Sequence, residues 1–214
     1  MSHLSVTATE DGSKTIYSEH FGEHYHSKFG AVSESQHVFI NAGYLFADVN
    51  PVSVLEISFG TGLNAWLTLQ QANKLKRHTH YETIELYPID EATVHELSDD
   101  GVFRTLHTAP WEQPIEISPW FVLYKRKNDL LQIVFPGKYD IVYFDAFSPT
   151  VQPEMWSRDV FANIYEAMNA NAILTTYCVR GEVRRTMQSA GFSVERLPGP
   201  TGGKREMLRA RKQL

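Results

Sequence analysis

Cysteine is nearly missing from this sequence: Cys178 stands alone among 214 residues. An internal disulfide is therefore excluded, which fits a reducing compartment. Within TTYCVR, Cys178 reads as part of a strand end rather than as a nucleophile. No apolar run approaches the roughly 18 residues of a membrane span. Met1-Ser2-His3 also lacks the basic start and apolar stretch of a signal peptide. A cytoplasmic protein without membrane association is the expectation.

Positive charge is not in surplus either. The net charge is −5 with histidines neutral, which counts against a wide electrostatic grip on nucleic acid but leaves room for a local patch. Lys125-Arg126-Lys127, Arg180, Arg184-Arg185 and Lys204-Arg205, with Arg209, Arg211 and Lys212 near the end, form either such a patch or ordinary solvated faces. His20, His24 and His26 have no cysteine or paired carboxylate to complete a ligand set. Structural or capping roles are expected for them, and no metal. Repeats, low-complexity segments and interdomain linkers are likewise missing.

What is there is an alternation of strands and helices after residue 50. Residues 1–50 read as an extension: Leu4–Thr9 and Lys14–Ser18 alternate around the Asp11-Gly12 turn, a hairpin pattern. Glu34–Phe46 has helical apolar spacing. Residues 51–214 read as one domain. Val52–Ile57 is a buried strand, Phe59-Gly60-Thr61-Gly62 a turn, and Leu63 onward a helix. Further strands are expected at His80–Leu86, Trp120–Tyr124, Tyr139–Ala146 and Ala172–Tyr177, with a last pair at Phe192–Leu197 and Glu206–Arg211. Helices are expected from Pro88 to Leu97, Asn128 to Phe135, Gln152 to Met168 and Gly181 to Ala190; Gly101–Pro119 shows no clear period. The fold class is α/β, with a mostly parallel sheet and an antiparallel hairpin at its C-terminal edge.

In such sheets ligands lie at the strands' C-terminal ends, and three of those ends carry unusual residues. FGTG lets a ligand approach the backbone or is simply a tight turn. It is no P-loop, since no Gly-Lys-Ser/Thr follows. Glu85 lies 23 residues beyond Gly62, near the ~20 expected of an acid that binds ribose hydroxyls. That spacing suits NAD as well as S-adenosylmethionine (SAM). Asp145 follows the YDIVYF strand and enters Ala146-Phe147-Ser148-Pro149, where Asp145 either faces the cleft or caps a turn. Phe147 either stacks on a base or belongs to the core.

Together these signals resemble a class I SAM-dependent methyltransferase with a Rossmann-like fold. The blocks YHSKFGAVSESQHVF, FGTGLN, DAFSP followed by QPEMWS, VRR with AGF, and GGKREML narrow the resemblance. They are similar to the methyltransferase half of the bifunctional enzyme that makes 5-methylaminomethyl-2-thiouridine in tRNA. The blocks run in that order from about Tyr25 to Leu208. The sequence ends at Leu214 with no flavin-dependent half, so a stand-alone methyltransferase is expected. It departs from the family in having Ala146 where Gly is common. It also has Lys125-Arg126-Lys127-Asn128-Asp129 where many class I enzymes place an acid for adenine, which leaves backbone groups or Asn128 for that task.

The resemblance implies methyl transfer from SAM to the amine of 5-aminomethyl-(2-thio)uridine at the tRNA wobble position, with Asp145 as the catalytic residue. It implies SAM contacts from Tyr25, Glu34, Glu56, Gly60, Thr61, Gly62, Asn64, Glu85 and Asp145. Substrate contacts fall to Phe147, Ser148, Pro149, Arg184, Arg185, Lys204 and Arg205. The alternatives are a methyltransferase or aminopropyl-transfer enzyme for a small amine, an RNA-binding module that has lost SAM, and an NAD-type enzyme.

Overall fold

Strand β4 (Val52–Ile57) lies near the middle of an eight-stranded sheet, and the rest of the chain is arranged on either side of it. The protein is described by a computed structural model over residues 4–200 and 205–213. At its start β1 (Leu4–Ala8), β2 (Lys14–Ser18) and β3 (Glu23–His24) make a small antiparallel sheet of their own. The β1–β2 register turns through Gly12 at φ +81°.

Helix α1 (Ala31–Ser35) follows and widens into a π-helix over Gln36–Tyr44, where the Leu45 N–H reaches the Ile40 carbonyl five residues back. The apolar spacing of Glu34–Phe46 could not distinguish this winding from an α-helix. The wider turn buries Val38, Phe39, Ile40 and Tyr44.

After β4 come α2 (Leu63–Leu75), β5 (Thr79–Ile84), α3 (Glu91–Leu97), α4 (Gly101–Thr108), β6 (Pro114–Ser118) and β7 (Phe121–Arg126). Helix α3 starts at Asp90, whose carboxylate accepts from Thr93 N–H at 2.7 Å, so Pro88 precedes the helix instead of opening it. The region without a clear period holds α4, capped by Asp100 on Phe103 N–H at 2.8 Å, and edge strand β6. The expected helix at Asn128–Phe135 is a set of turns instead, because Asp129 spends its carboxylate on the Leu131 N–H and the Gln132 side chain.

Strand β8 (Tyr139–Phe144) leads to a 3-10 turn at Pro153–Trp156, then α5 (Arg158–Ala167), β9 (Met168–Thr176), α6 (Gly181–Ser189), β10 (Ser193–Pro198) and β11 (Glu206–Arg211). Ser157 divides the expected Gln152–Met168 helix in two, since its hydroxyl caps Val160.

The order across the sheet is β10-β11-β9-β8-β4-β5-β7-β6, with parallel pairing from β9 to β7 and antiparallel hairpins at both edges. Period-two alternation splits the central strands between two apolar layers. Leu55, Ile57, Val142 and Phe144 pack toward Phe161, Ile164 and Met187. Val52, Val54, Ile141 and Tyr143 pack toward α2 and the π-helix through Ala65, Leu69 and Phe39. After β4 the chain steps outward to β5 and β7; β8 and β9 lie on β4's other side. The crevice between β4 and β8 is therefore the sheet's switch point. No helix among the described residues is long and apolar enough to cross a membrane.

Candidate active site

The switch point opens into a cleft of about 350 Å³. Its floor is made by the ends of neighbouring parallel strands. Ile57 pairs with Phe144, and Asp145 N–H donates to the Ile57 carbonyl at 3.2 Å, so Asp145 emerges directly beside the turn after β4. That turn is abrupt. Ser58 adopts φ +72° and Gly60 +51°, left-handed values that a serine adopts only at some cost. The Tyr25 ring lies so close that a Cβ on Gly60 would stand 3.1 Å from Tyr25 Cδ1.

Gly62 serves the other side of the turn. A Cβ there would stand 2.7 Å from His107 Nε2, so its bare backbone makes room for α4 instead of a ligand. His107 Nε2 lies 2.9 Å from the Thr61 carbonyl and donates to it. Burial pushes this imidazole's pKa down to about 4, leaving it neutral at pH 7. Behind it Lys125 is 1% exposed, donates to the His107 carbonyl at 2.6 Å and lies 4.5 Å from the Trp111 ring centre.

Glu85 continues β5 into the cleft. Its Oε2 accepts the Gly60 N–H at 3.0 Å and its Oε1 the Tyr87 N–H at 2.9 Å. Burial raises its pKa, and these backbone donors oppose the rise. Asp145 Oδ2 accepts from Asn64 Nδ2 at 2.8 Å, joining the end of β8 to the first turn of α2.

The DAFSP loop is held from both sides. Tyr177 OH donates to the Ala146 carbonyl and Trp156 Nε1 to that of Phe147, both at 2.8 Å. From the N-terminal sheet, Glu23 accepts the Ser148 N–H at 3.1 Å and also the Ser148 hydroxyl. Phe147 is stacked on Phe21 at 4.3 Å between ring centres and meets Tyr25 edge-on at 4.9 Å. Residues before α1 thus roof a cleft floored by the sheet.

Of the residues expected at the site, Tyr25, Glu34, Gly60, Thr61, Asn64, Glu85, Asp145, Phe147 and Ser148 line the cleft together. Glu34 does so while accepting the Ser27 N–H at 2.9 Å. Glu56, Gly62 and Pro149 do not line it, nor do Arg184 and Arg185, which lie on α6. Glu56 shares the α2-facing side of β4 with Val52 and Val54, so alternation turns it beneath the cleft. Arg205 is exposed just before β11, and Lys204 lies outside the described residues.

The run Lys125-Arg126-Lys127 is no basic patch. Strand β7 runs on to Arg126, burying Lys125 and pairing Arg126 with Glu82 at 3.2 Å. The longer strand also brings Asn128 and Asp129 into the cleft wall. Arg209, bonded to Glu195 at 2.8 Å and stacked on Phe46, and Lys212, donating to the Tyr165 carbonyl, likewise serve the fold.

Phe21, Glu23, Ser58 and Tyr177 also line the cleft and were not singled out from sequence. Tyr177 follows the C-terminal end of β9, so the strand-end rule could have found it. Nothing local marks Glu23, whose partner is 125 residues away.

Glu23, Glu34, Glu85, Asp129 and Asp145 all line this cleft, and among the described residues no lysine or arginine does. Burial lowers the pKa of both lining histidines, that of His26 to about 4. The described walls therefore offer carboxylates and aromatic faces to a ligand and no fixed positive charge.

Comparison with known proteins agrees with this architecture. Residues 122–213 match the family model described as S-adenosyl-L-methionine-dependent methyltransferase. The tRNA 5-methylaminomethyl-2-thiouridine biosynthesis bifunctional protein MnmC of Azoarcus sp. (strain BH72) is 31% identical over 228 aligned residues, covering 97% of this chain and 35% of that protein. The chain thus spans about a third of the length of such relatives. Among solved structures, MnmC2 from Aquifex aeolicus superposes with a TM-score of 0.81 at 24% identity, over 98% of this chain and 70% of that one. Spermidine synthase from Thermotoga maritima gives a TM-score of 0.64 at 12% identity, over 99% and 70% of the two chains. These structural likenesses are likenesses of fold.

Proposed function

We propose that this chain, a homologue of the bifunctional MnmC proteins over about a third of their length, is a SAM-dependent N-methyltransferase. Its substrate on this reading is 5-aminomethyl-(2-thio)uridine at the tRNA wobble position. The observation that carries the reading is the cleft's charge: acidic side chains with no lysine or arginine among the described lining residues. A cofactor with a sulfonium and an ammonium group suits such walls, as does an amine acceptor. The pyrophosphate of a dinucleotide does not.

The residues present fit SAM. Glu85 would offer a carboxylate to ribose hydroxyls, the bare Gly60 backbone lets the Tyr25 ring close down on the turn, and Asn128 and Asp129 in the cleft wall would meet the adenine. When bound, SAM supplies an electrophilic methyl group on positively charged sulfur.

The chain's own contribution is positioning and proton handling. The acceptor amine must shed its proton before its lone pair is usable. Asp145 would orient the amine and take the proton directly or through water, a loss that the positive charge of bound SAM would favour. Phe147, stacked on Phe21, gives the nucleobase an aromatic wall. Holding nitrogen, methyl carbon and sulfur in line supplies much of the remaining acceleration. Arg184, Arg185 and Arg205 are the proposed tRNA contacts, Lys204 a fourth. On this reading residues 1–50 are an extension that roofs a methyltransferase domain at 51–214, and the protein works in the cytoplasm.

The decisive experiment incubates undermodified tRNA with protein and SAM and analyses wobble nucleosides by mass spectrometry. Gain of one methyl group on the aminomethyluridine is the expected result. Faster turnover of free polyamines than of tRNA would transfer the assignment to a small-amine enzyme. Charge reversal of Arg184 and Arg185 should weaken tRNA binding and flatten its salt dependence.

A further inference from the structure

Glu56 is 0% exposed, on the α2 side of β4. Its Oε2 accepts from Thr83 Oγ1 at 2.8 Å. Its Oε1 and the equally buried Asn64 Oδ1 have no donor among the described residues, although the two side chains are in contact. Two bare buried acceptors on neighbouring side chains are costly. The Tyr81 hydroxyl, also buried and also lacking a partner, faces the same carboxyl. Donation from Tyr81 satisfies Oε1 but leaves Asn64 Oδ1 bare. One arrangement satisfies both: a hydrogen on Glu56 Oε1.

We propose that Glu56 is a positioning residue that keeps a proton beneath the cleft and donates it as a hydrogen bond to Asn64 Oδ1, which holds the Asn64 amide N–H turned toward Asp145. The inference rests on the methyltransferase reading above for its consequence in turnover. The logic is one of amide orientation. An ionised Glu56 would draw Asn64 Nδ2 to itself and present Oδ1 to Asp145 Oδ2. That pairing is tolerable only with the proton on Asp145, where it removes the acceptor that the amine needs.

Burial above all, and the nearby Asp145 charge, drive the Glu56 carboxyl well above the usual carboxylate range, opposed by the hydrogen bond from Thr83 and by the polar side chains of Asn64 and Tyr81. The other titratable groups around it, Tyr81 and Tyr143, have pKa values raised by burial and stay neutral. Of two neighbouring carboxyls, the fully enclosed one is the one that desolvation makes hold a proton.

The test pairs Glu56→Gln with Glu56→Leu. Glutamine accepts from Thr83 and donates to Asn64, so it should rescue turnover to within about threefold of the native protein, with the same pH–rate profile. Leucine leaves Asn64 without a donor, and its turnover should fall by roughly 10- to 100-fold at nearly constant SAM affinity. Equal losses in both variants overturn the proposal.

Infrared spectroscopy at pH 7 needs no activity. The native protein should show a protonated-carboxyl C=O band that Glu56→Gln lacks, and a spectrum without that band overturns the proposal even if leucine fails to fold. A thermal series gives a second activity-free reading. Above the unfolded carboxylate pKa the native protein holds a proton that its unfolded chain has lost, so its stability falls with rising pH and the glutamine variant's falls less. A protein with the band but no methyl transfer would retain the buried proton and lose the functional reading instead.

Discussion

The backbone N–H of Gly60 donates to Glu85 Oε2 at 3.0 Å, so the acid at the end of β5 fastens the turn at the end of β4. Glu85 thereby holds the turn that lines the cleft, in addition to the ribose contact proposed for it. Its other oxygen ties down Tyr87 N–H at 2.9 Å.

Glu85→Gln sets an amide N–H against one of these backbone donors, whichever way it is turned. SAM affinity should drop by about tenfold or more, with a loss of roughly 1–3 kcal/mol in stability. Calorimetric titration and thermal melting read the two effects separately; unchanged affinity would remove Glu85 from the ribose.

Asp145→Asn preserves the shape of the side chain and can still accept from Asn64. SAM should bind within a few-fold of normal while methyl transfer to tRNA falls by about 10²–10⁴, the usual range for a lost general base. Near-normal turnover on modified tRNA is the outcome that would sink the assignment.

Gly62→Ala tests the turn from behind. The added methyl would meet His107 Nε2 at 2.7 Å and Phe59 Cζ at 3.0 Å, at a residue whose φ is +73°. A destabilisation of about 1–3 kcal/mol is expected from strain and displaced packing. Denaturant unfolding measures it, and an unchanged midpoint would contradict the packing role.

Lys125 gives a pH test. Burial lowers its pKa to about 8 in the folded protein, against an ordinary value of 10.5. Between those values the unfolded chain binds the proton more tightly, so native stability rises with pH through this window. Lys125→Met abolishes that rise. Its stability relative to the native protein should be greatest below pH 8 and decline by about 1–3 kcal/mol toward pH 10.5. Paired melts across the window would show a flat difference if Lys125 were solvated.

The positions of the main strands, the C-terminal edge hairpin and the strand-end residues were legible because each rests on local pattern: an apolar run, a glycine turn, an acid just beyond. Four kinds of information were not. Winding was hidden, since the apolar spacing of Gln36–Tyr44 serves a π-helix as readily as an α-helix. Strand length was hidden at β7, where Lys125 alternates inward with Phe121 and Leu123 and so loses its place in any surface patch. Facing was misjudged at Glu56, where counting alternation from Val52 and Val54 would have turned the carboxyl toward α2. The roof was illegible for a different reason. Phe21 and Glu23 acquire meaning only through Phe147 and Ser148, more than a hundred positions later, and nothing nearby in the sequence announces a partner so distant.

The same separation sets an order on how the site comes into being. The hairpin of β1 and β2 closes over a few residues and can form early, whereas the clasp between Glu23 and Ser148 spans 125 positions. Closing so long a loop brings no return until both ends are in place. During synthesis Glu23 leaves the ribosome 125 residues ahead of Ser148. The hairpin packs on α3 and α4 through Ile16, Val94, Leu97 and Phe103, so a chain halted before Ser148 holds a roof anchored at one side and lacks the clasp that seals the cleft.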